Sequence, residues 1–85
     1  AQAGISRELV LVKVKYDRES RRDIMEICGI LKAQIVDMSR NQMMIQMCDE
    51  PERIGLLLKM LGSRNIVEVA RTGTVALQKC CDGKE

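Results

Sequence analysis

The first regular pattern in the chain is an alternation of apolar and polar residues between positions 8 and 16. One face is apolar at every second residue, whereas the other is apolar only at Leu9 and Leu11 and then changes to lysine. A period of two is typical of a β-strand, because successive side chains point to opposite sides of a sheet. The pattern therefore predicts a central strand whose apolar face consists of Val10, Val12, Val14 and Tyr16.

Two later segments carry apolar residues at the helical spacing i, i+3, i+4 and i+7. The first predicts a helix over about residues 19–31, capped by Asp17 or by the pair Ser20 and Asp23. The second predicts a helix over residues 51–61 that ends at Gly62. Each segment has one apolar stripe, which indicates a helix lying on a sheet: Ile24, Ile27, Cys28 and Leu31 in the first, and Ile54, Leu57, Leu58 and Leu61 in the second.

Three further strands complete the predicted fold. Residues 33–39 and 42–48 form two strands joined by the short turn at Arg40 and Asn41, which is typical of a hairpin, and the last strand begins at Ile66. The order strand, helix, strand, strand, helix, strand predicts an α+β, ferredoxin-like βαββαβ sandwich. It has a four-stranded antiparallel sheet with both helices on one face.

Because both helices lie on one face, the other face of the sheet is left uncovered by this chain. Exposed apolar sheet faces usually mark surfaces that bind a partner. We therefore expect Leu9, Leu11 and the methionine-rich third strand, Met43 in particular, to contact another protein.

Composition narrows the class of protein. Eighty-five residues make one small domain, and the absence of Trp and Phe means an aliphatic core filled partly by six Met residues. Small domains often gain stability by association, so we expect a homodimer or a larger oligomer. The net charge of +2 comes from interspersed acidic and basic residues, which does not suit a nucleic-acid binder. No apolar run approaches the roughly 20 residues that cross a bilayer, so we expect no membrane segment.

The chain offers little catalytic chemistry. It has no His, the commonest general base, and no glycine-rich phosphate loop. Asp37 and Glu68 could be a carboxylate pair, but both stand among apolar neighbours in predicted strands and more simply face solvent or pair with Arg71. The four cysteines lack metal-ligand spacing, so Cys28 should be inert and the adjacent Cys80 and Cys81 should be free thiols. We predict no catalytic residue, no cofactor and no metal on this chain.

The last strand contains a distinctive break at Thr72 and Gly73. We predict a bulge or a positive φ at Gly73, since glycine adopts conformations that other residues avoid. Arg71 is expected to pair with Glu68 or Asp37, to reach a partner, or to be an ordinary surface residue. We therefore add four residues to the candidate partner-binding set: Glu68, Arg71, Thr72 and Gly73.

Three segments carry a resemblance to a known family. VEVARTG at residues 67–73, followed by the apolar residues 75–77, resembles the end of the small regulatory subunit of acetohydroxyacid synthase (acetolactate synthase). Residues 7–14 and 33–38 resemble the first and second strands of the C-terminal domain in that family. The segments occur in the family's order and at its spacing over nearly the whole chain, so the chain resembles that C-terminal domain.

The resemblance implies a function and a partner. Small subunits of this family activate a catalytic large subunit that uses thiamine diphosphate, Mg and FAD, and they confer feedback control in branched-chain amino-acid (valine, leucine and isoleucine) biosynthesis. It implies a cytoplasmic protein, or a plastid one if the source is a plant. We expect residues 7–79 to form an ACT-like regulatory domain, residues 1–6 a linker or cloning remnant, and residues 80–85 a polar tail.

The family's N-terminal ACT domain, which carries the amino-acid site, has no counterpart among these residues. We therefore expect the chain to bind no valine. The alternative is a stand-alone ACT-like sensor that binds a small amino acid between two protomers.

Overall fold

A computed structural model describes residues 4–63 and 65–82 and contains the six predicted elements in the predicted order. Both helices end where the sequence predicts, whereas the first and last strands are long. The elements are β1 (Gly4–Lys15), α1 (Arg18–Leu31), β2 (Gln34–Met38), β3 (Gln42–Asp49), α2 (Pro51–Leu61) and β4 (Ile66–Gln78).

The strands form one antiparallel sheet in the order β2-β3-β1-β4, which confirms the ferredoxin-like fold. The centre of the sheet is the β1–β3 pair, and its alternating residues Val12 and Ile45 are directly opposite and fully buried. The helices cover this face of β1, β2 and β3. The predicted stripes supply the helix side of the core: Ile24, Cys28, Leu31, Ile54, Leu57 and Leu61 are buried, and Ile27 and Leu58 are partly buried against them.

Polar contacts at the helix ends explain where the helices begin. Asp17 is the N-cap of α1, and it exchanges hydrogen bonds with Ser20: the Ser20 N–H donates to the Asp17 carboxylate at 2.8 Å, and the Ser20 hydroxyl accepts from the Asp17 N–H at 3.0 Å. Ser20 is thus the fourth residue of a capping box and not its first. Before α2, Asp49 accepts from the Glu50 N–H at 2.7 Å and from Arg53 Nε at 2.9 Å.

Strands β1 and β4 continue beyond the helices as a two-stranded ribbon, defined here as residues 4–7 paired with residues 75–78. The pairing corrects one boundary: residues 4–6, expected to be part of a linker, belong to β1. The molecule is consequently elongated, with principal extents of 60 × 22 × 20 Å. Neither helix in the described ranges is long and apolar enough to span a membrane.

Candidate partner-binding surface

The side of the sheet away from the helices, here called the open face, carries apolar side chains along β1. Leu9 and Leu11 lie on it and are exposed, as the sequence predicts. The pairing register places Cys48 opposite Leu9 and Ala70 opposite Leu11. Directly opposite residues of an antiparallel pair share a face, so the apolar strip spans three strands. Its members are Ile5, Leu9, Leu11, Met44, Ala70, Val75 and Leu77.

Met43 was wrongly assigned to this face. It lies opposite Val14, points to the helices and is only 1% exposed. Its neighbour Met44, opposite Lys13, is the methionine of β3 that lies on the open face. Since strand side chains alternate, a one-residue error moves a residue from surface to core. Met43 is therefore a core residue and cannot contact a partner.

The predicted break in β4 is present. Gly73 has φ +86°, which confirms the positive-φ prediction. The pairing passes from Glu8–Thr74 to Val10–Arg71, so Leu9 alone stands opposite both Thr72 and Gly73. This two-against-one arrangement is a β-bulge. The Thr72 hydroxyl accepts a hydrogen bond from the Leu9 N–H at 3.1 Å, which joins the bulge to β1.

Arg71 pairs with Glu8, and not with Glu68 or Asp37. Its Nε and Nη2 atoms donate to the two Glu8 carboxylate oxygens at 2.9 and 2.7 Å. Arg71 lies opposite Val10, on the helix side of the sheet, whereas Glu68 lies opposite Lys13 on the open face. The Arg71 and Glu68 side chains therefore point to opposite sides of the sheet. A bidentate arginine–carboxylate pair has a defined geometry, so this one fixes β4 relative to β1 beside the bulge.

Glu8 itself was missed, although the sequence carried a signal. It continues the buried series of even-numbered residues in β1, and it is the charged member of that series. Glu8 is 5% exposed. The hydrogen bond from Arg71 holds the pKa of the Glu8 carboxyl below its usual range, with help from the charge of Arg71 and the Gly73 N–H and against the effect of desolvation. A charged residue in a buried register position should have been expected to have a partner.

Glu68 forms a separate, exposed ion pair. Its carboxylate lies 2.8 Å from Lys13 Nζ, and that hydrogen bond lowers the pKa of Glu68. Exposed pairs of this kind contribute little to stability. Lys13 and Glu68 border a shallow depression of about 210 Å³ on the open face. Its other lining residues are Leu11, Met44, Val69 and Ala70. Asp37 lies on β2 and Glu68 on β4, the two outer strands of the sheet, so the structure does not bring these two carboxylates together.

The thiols and carboxylates are dispersed. Over residues 4–63 and 65–82, no three Cys, Asp or Glu side chains converge in a way that could hold a metal ion. Cys28 is buried in the core, and burial raises the pKa of its thiol, which makes it a poor nucleophile. Cys48, Cys80 and Cys81 are exposed. What the described surface offers is an apolar strip with a fixed bulge, an arrangement suited to binding a protein.

Comparisons with known proteins agree on one family. A family model described as "Small subunit of acetolactate synthase" matches residues 7–80. A probable acetolactate synthase small subunit from Archaeoglobus fulgidus is 33% identical over 76 residues, which are 89% of this chain and 48% of that protein. The acetolactate synthase small subunit of Bacillus subtilis is 36% identical over 78 residues, 92% of this chain and 45% of that protein.

A solved structure extends the agreement to the fold. The crystal structure of the acetolactate synthase small subunit from Thermotoga maritima superimposes with a TM-score of 0.89 at 28% identity. The match covers 94% of this chain and 49% of that chain. The chain thus spans about half the length of these relatives.

Proposed function

The chain belongs to the family of acetolactate synthase small subunits, and from that membership we propose that it is a non-catalytic regulatory domain that binds and activates the catalytic subunit of this enzyme. Its role would be in branched-chain amino-acid biosynthesis, in the cytoplasm or in a plant plastid. Thiamine diphosphate, Mg and FAD would reside on the catalytic subunit.

The observation that carries this proposal is the family match over residues 7–80. The open face supports it, because an exposed apolar strip on a small domain is the kind of surface that partners cover. Leu9 and Leu11 lie at the centre of that strip. The partner-binding residues we propose are therefore Leu9, Leu11, Glu68, Thr72 and Gly73, with Met44 taking the place of the buried Met43. Arg71, which pairs with Glu8 on the helix side, is left out of the set because it supports the bulge.

Activation would arise from differential binding. A partner that binds the active form of an enzyme more tightly than the inactive form shifts the equilibrium by its difference in affinity, usually about 1–3 kcal/mol. The Glu8–Arg71 pair and the bond from Leu9 to Thr72 hold the bulge in one arrangement. A preorganised surface of this kind loses little conformational entropy when it binds.

The test is a titration of the purified chain into the cognate catalytic subunit while acetolactate formation is followed, with and without valine. We expect stimulation that valine does not alter. Leu11→Gln should weaken stimulation, whereas the matched variant Ile30→Gln, on the exposed side of α1, should not. Failure to form a complex would contradict the proposal. Valine binding to this chain in calorimetry would instead favour the stand-alone sensor.

Self-association is a separate part of the proposal. The open face at Leu11 and Met44 is also available to a second copy, and the small core gives a reason for association. Light scattering at micromolar concentration is expected to report a dimer or larger. A clean monomer would leave the catalytic subunit as the remaining occupant of this surface.

A further inference from the structure

The ribbon is the most exposed apolar part of the described chain. Ile5, Val75 and Leu77 lie on its open face, and Val75 and Leu77 are 69% and 81% exposed. Residues 4–7 have no pairing with β3, which begins its pairing with β1 at Glu8. Within residues 4–63 and 65–82, the ribbon consequently has two strands, two unpaired edges and no helix layer.

Such a ribbon is poorly stabilised alone. Isolated two-stranded antiparallel segments are marginal in water, and stability normally requires a third strand or a covering layer. The apolar side chains of this ribbon border an open depression of about 560 Å³. Its length and exposure indicate that another protein covers it.

The charges around the depression are all positive. Arg7 and Lys79 line it, and no acidic side chain does. Among the described residues, neither forms an ion pair within 4.0 Å; Arg7 donates to the Ser6 carbonyl oxygen at 2.7 Å. Arg7 does lie near Asp49, but its charge is the smallest of the effects that lower the pKa of that carboxyl, after the Glu50 N–H and Arg53. The basic rim is therefore largely unneutralised.

This charge distribution favours one kind of occupant. Two copies joined through their ribbons about a two-fold axis would bring two patches of the same positive charge into one interface, which is unfavourable. A partner whose apolar centre is bordered by carboxylates would instead neutralise Arg7 and Lys79.

Building on the proposed function, we propose that the ribbon is the docking element for an apolar surface of the catalytic subunit that is bordered by Asp or Glu side chains. The apolar residues of the ribbon supply the buried contact, and Arg7 and Lys79 orient the encounter. Charges at the rim of an interface act mainly on the association rate, whereas buried apolar contacts act mainly on dissociation.

The experiment measures association and dissociation rates of the full chain with the immobilised cognate catalytic subunit. The double variant R7E/K79E should slow association by about tenfold, the lower end of electrostatic steering effects. The control R22E/K59E reverses two exposed charges on the helices and should leave the rate within about twofold of the unaltered chain, because those charges lie on the opposite side of the sheet. Raising NaCl from about 0.1 M to about 1 M, which shortens the Debye length from about 10 Å to about 3 Å, should slow the unaltered chain and speed R7E/K79E, because salt screens attraction in the first case and repulsion in the second. V75Q/L77Q should accelerate dissociation.

The outcomes separate the two proposals. A complex whose association is insensitive to salt and to R7E/K79E, or equally sensitive to R22E/K59E, would overturn the ribbon inference and leave the proposed function intact. No complex with the unaltered chain would overturn both. If sedimentation shows that the unaltered chain is a dimer and that V75Q/L77Q alone makes it monomeric, the occupant is a second copy and the ribbon inference is wrong.

Discussion

Replacing Leu57 by Ala tests the assignment of the α2 stripe most directly, because the adjacent residue supplies its own control. Leu57 is fully buried, whereas Leu56 is 41% exposed on the same helix. Both substitutions make the same change in helix propensity. The difference between them therefore isolates burial.

The expected magnitude follows from the position of Leu57 in the core. Removing a fully buried Leu side chain loses its transfer free energy and leaves a cavity, which together cost about 2–5 kcal/mol. A domain of this size has a total stability of only about 4–13 kcal/mol. Leu57→Ala should thus remove a large fraction of it, while Leu56→Ala should change it by less than about 1 kcal/mol.

Urea unfolding and thermal unfolding, both followed by circular dichroism, measure the two variants. Even a loss of 2 kcal/mol should lower the melting temperature by about 8–16 °C for a domain of this length. Equal effects of the two substitutions, or a cost below about 0.5 kcal/mol for Leu57→Ala, would show that α2 does not bury this stripe. Leu58, which is partly buried, should give an intermediate cost.

Three further outcomes are expected. Gly73→Ala should destabilise the fold by about 1–2 kcal/mol because φ there is positive, whereas Gly55→Ala in α2 should stabilise it by about 0.5–1 kcal/mol. Neither added Cβ meets an atom within 4 Å. Equal effects of the two substitutions in denaturant melts would therefore contradict the backbone argument. The Glu8 carboxyl has a lowered pKa in the folded state, so its contribution is present above the unfolded value of about 4.3 and is lost as pH falls through the folded value. The stability difference between the unaltered chain and Glu8→Gln should therefore be constant above about pH 4.3 and shrink as pH falls below it, and a difference that stays constant in acid would contradict the role of the ion pair. A thiol reagent under native conditions should modify three cysteines rapidly and spare Cys28 until unfolding; rapid reaction of all four would show that α1 opens readily.

The core of the fold could be predicted because its signals are periodic and mutually consistent. Period two in β1 and the two helical stripes specify the same buried layer, and Val12 and Leu57 lie where these patterns place them. The break at Gly73 could be predicted because glycine is the residue that a positive φ favours. Each of these signals is local, so the sequence alone carries it.

Two predictions, for Met43 and for Arg71, were wrong for a different reason: both depend on the register in which the strands pair. The assignment of Met43 to the open face requires knowing which alternate set of β3 faces the helices, and its apolar neighbours Met44 and Ile45 obscure the period. The partner of Arg71 requires knowing how β4 aligns with β1 across a bulge, over a separation of 63 residues. Bulges shift register by one residue, and one residue reverses every face assignment beyond them.

The ribbon shows why the functional surface is harder to derive than the core. An apolar alternation predicts a covered face, and in the middle of β1 the helices provide that cover. At positions 5, 75 and 77 the apolar residues lie instead on the open face, which neither helix in the described ranges covers. Pattern alone does not distinguish a side chain buried by its own chain from one that a partner must bury, since both require apolar residues at every second position. The structure makes the distinction by showing which face of the sheet the helices cover. Val75 and Leu77 lie on the other face, exposed beside Arg7 and Lys79, which form no ion pair among the described residues. Apolar positions on a face that the chain's own helices leave uncovered are thus the signal for a partner, and here the charges beside them indicate the partner's chemistry.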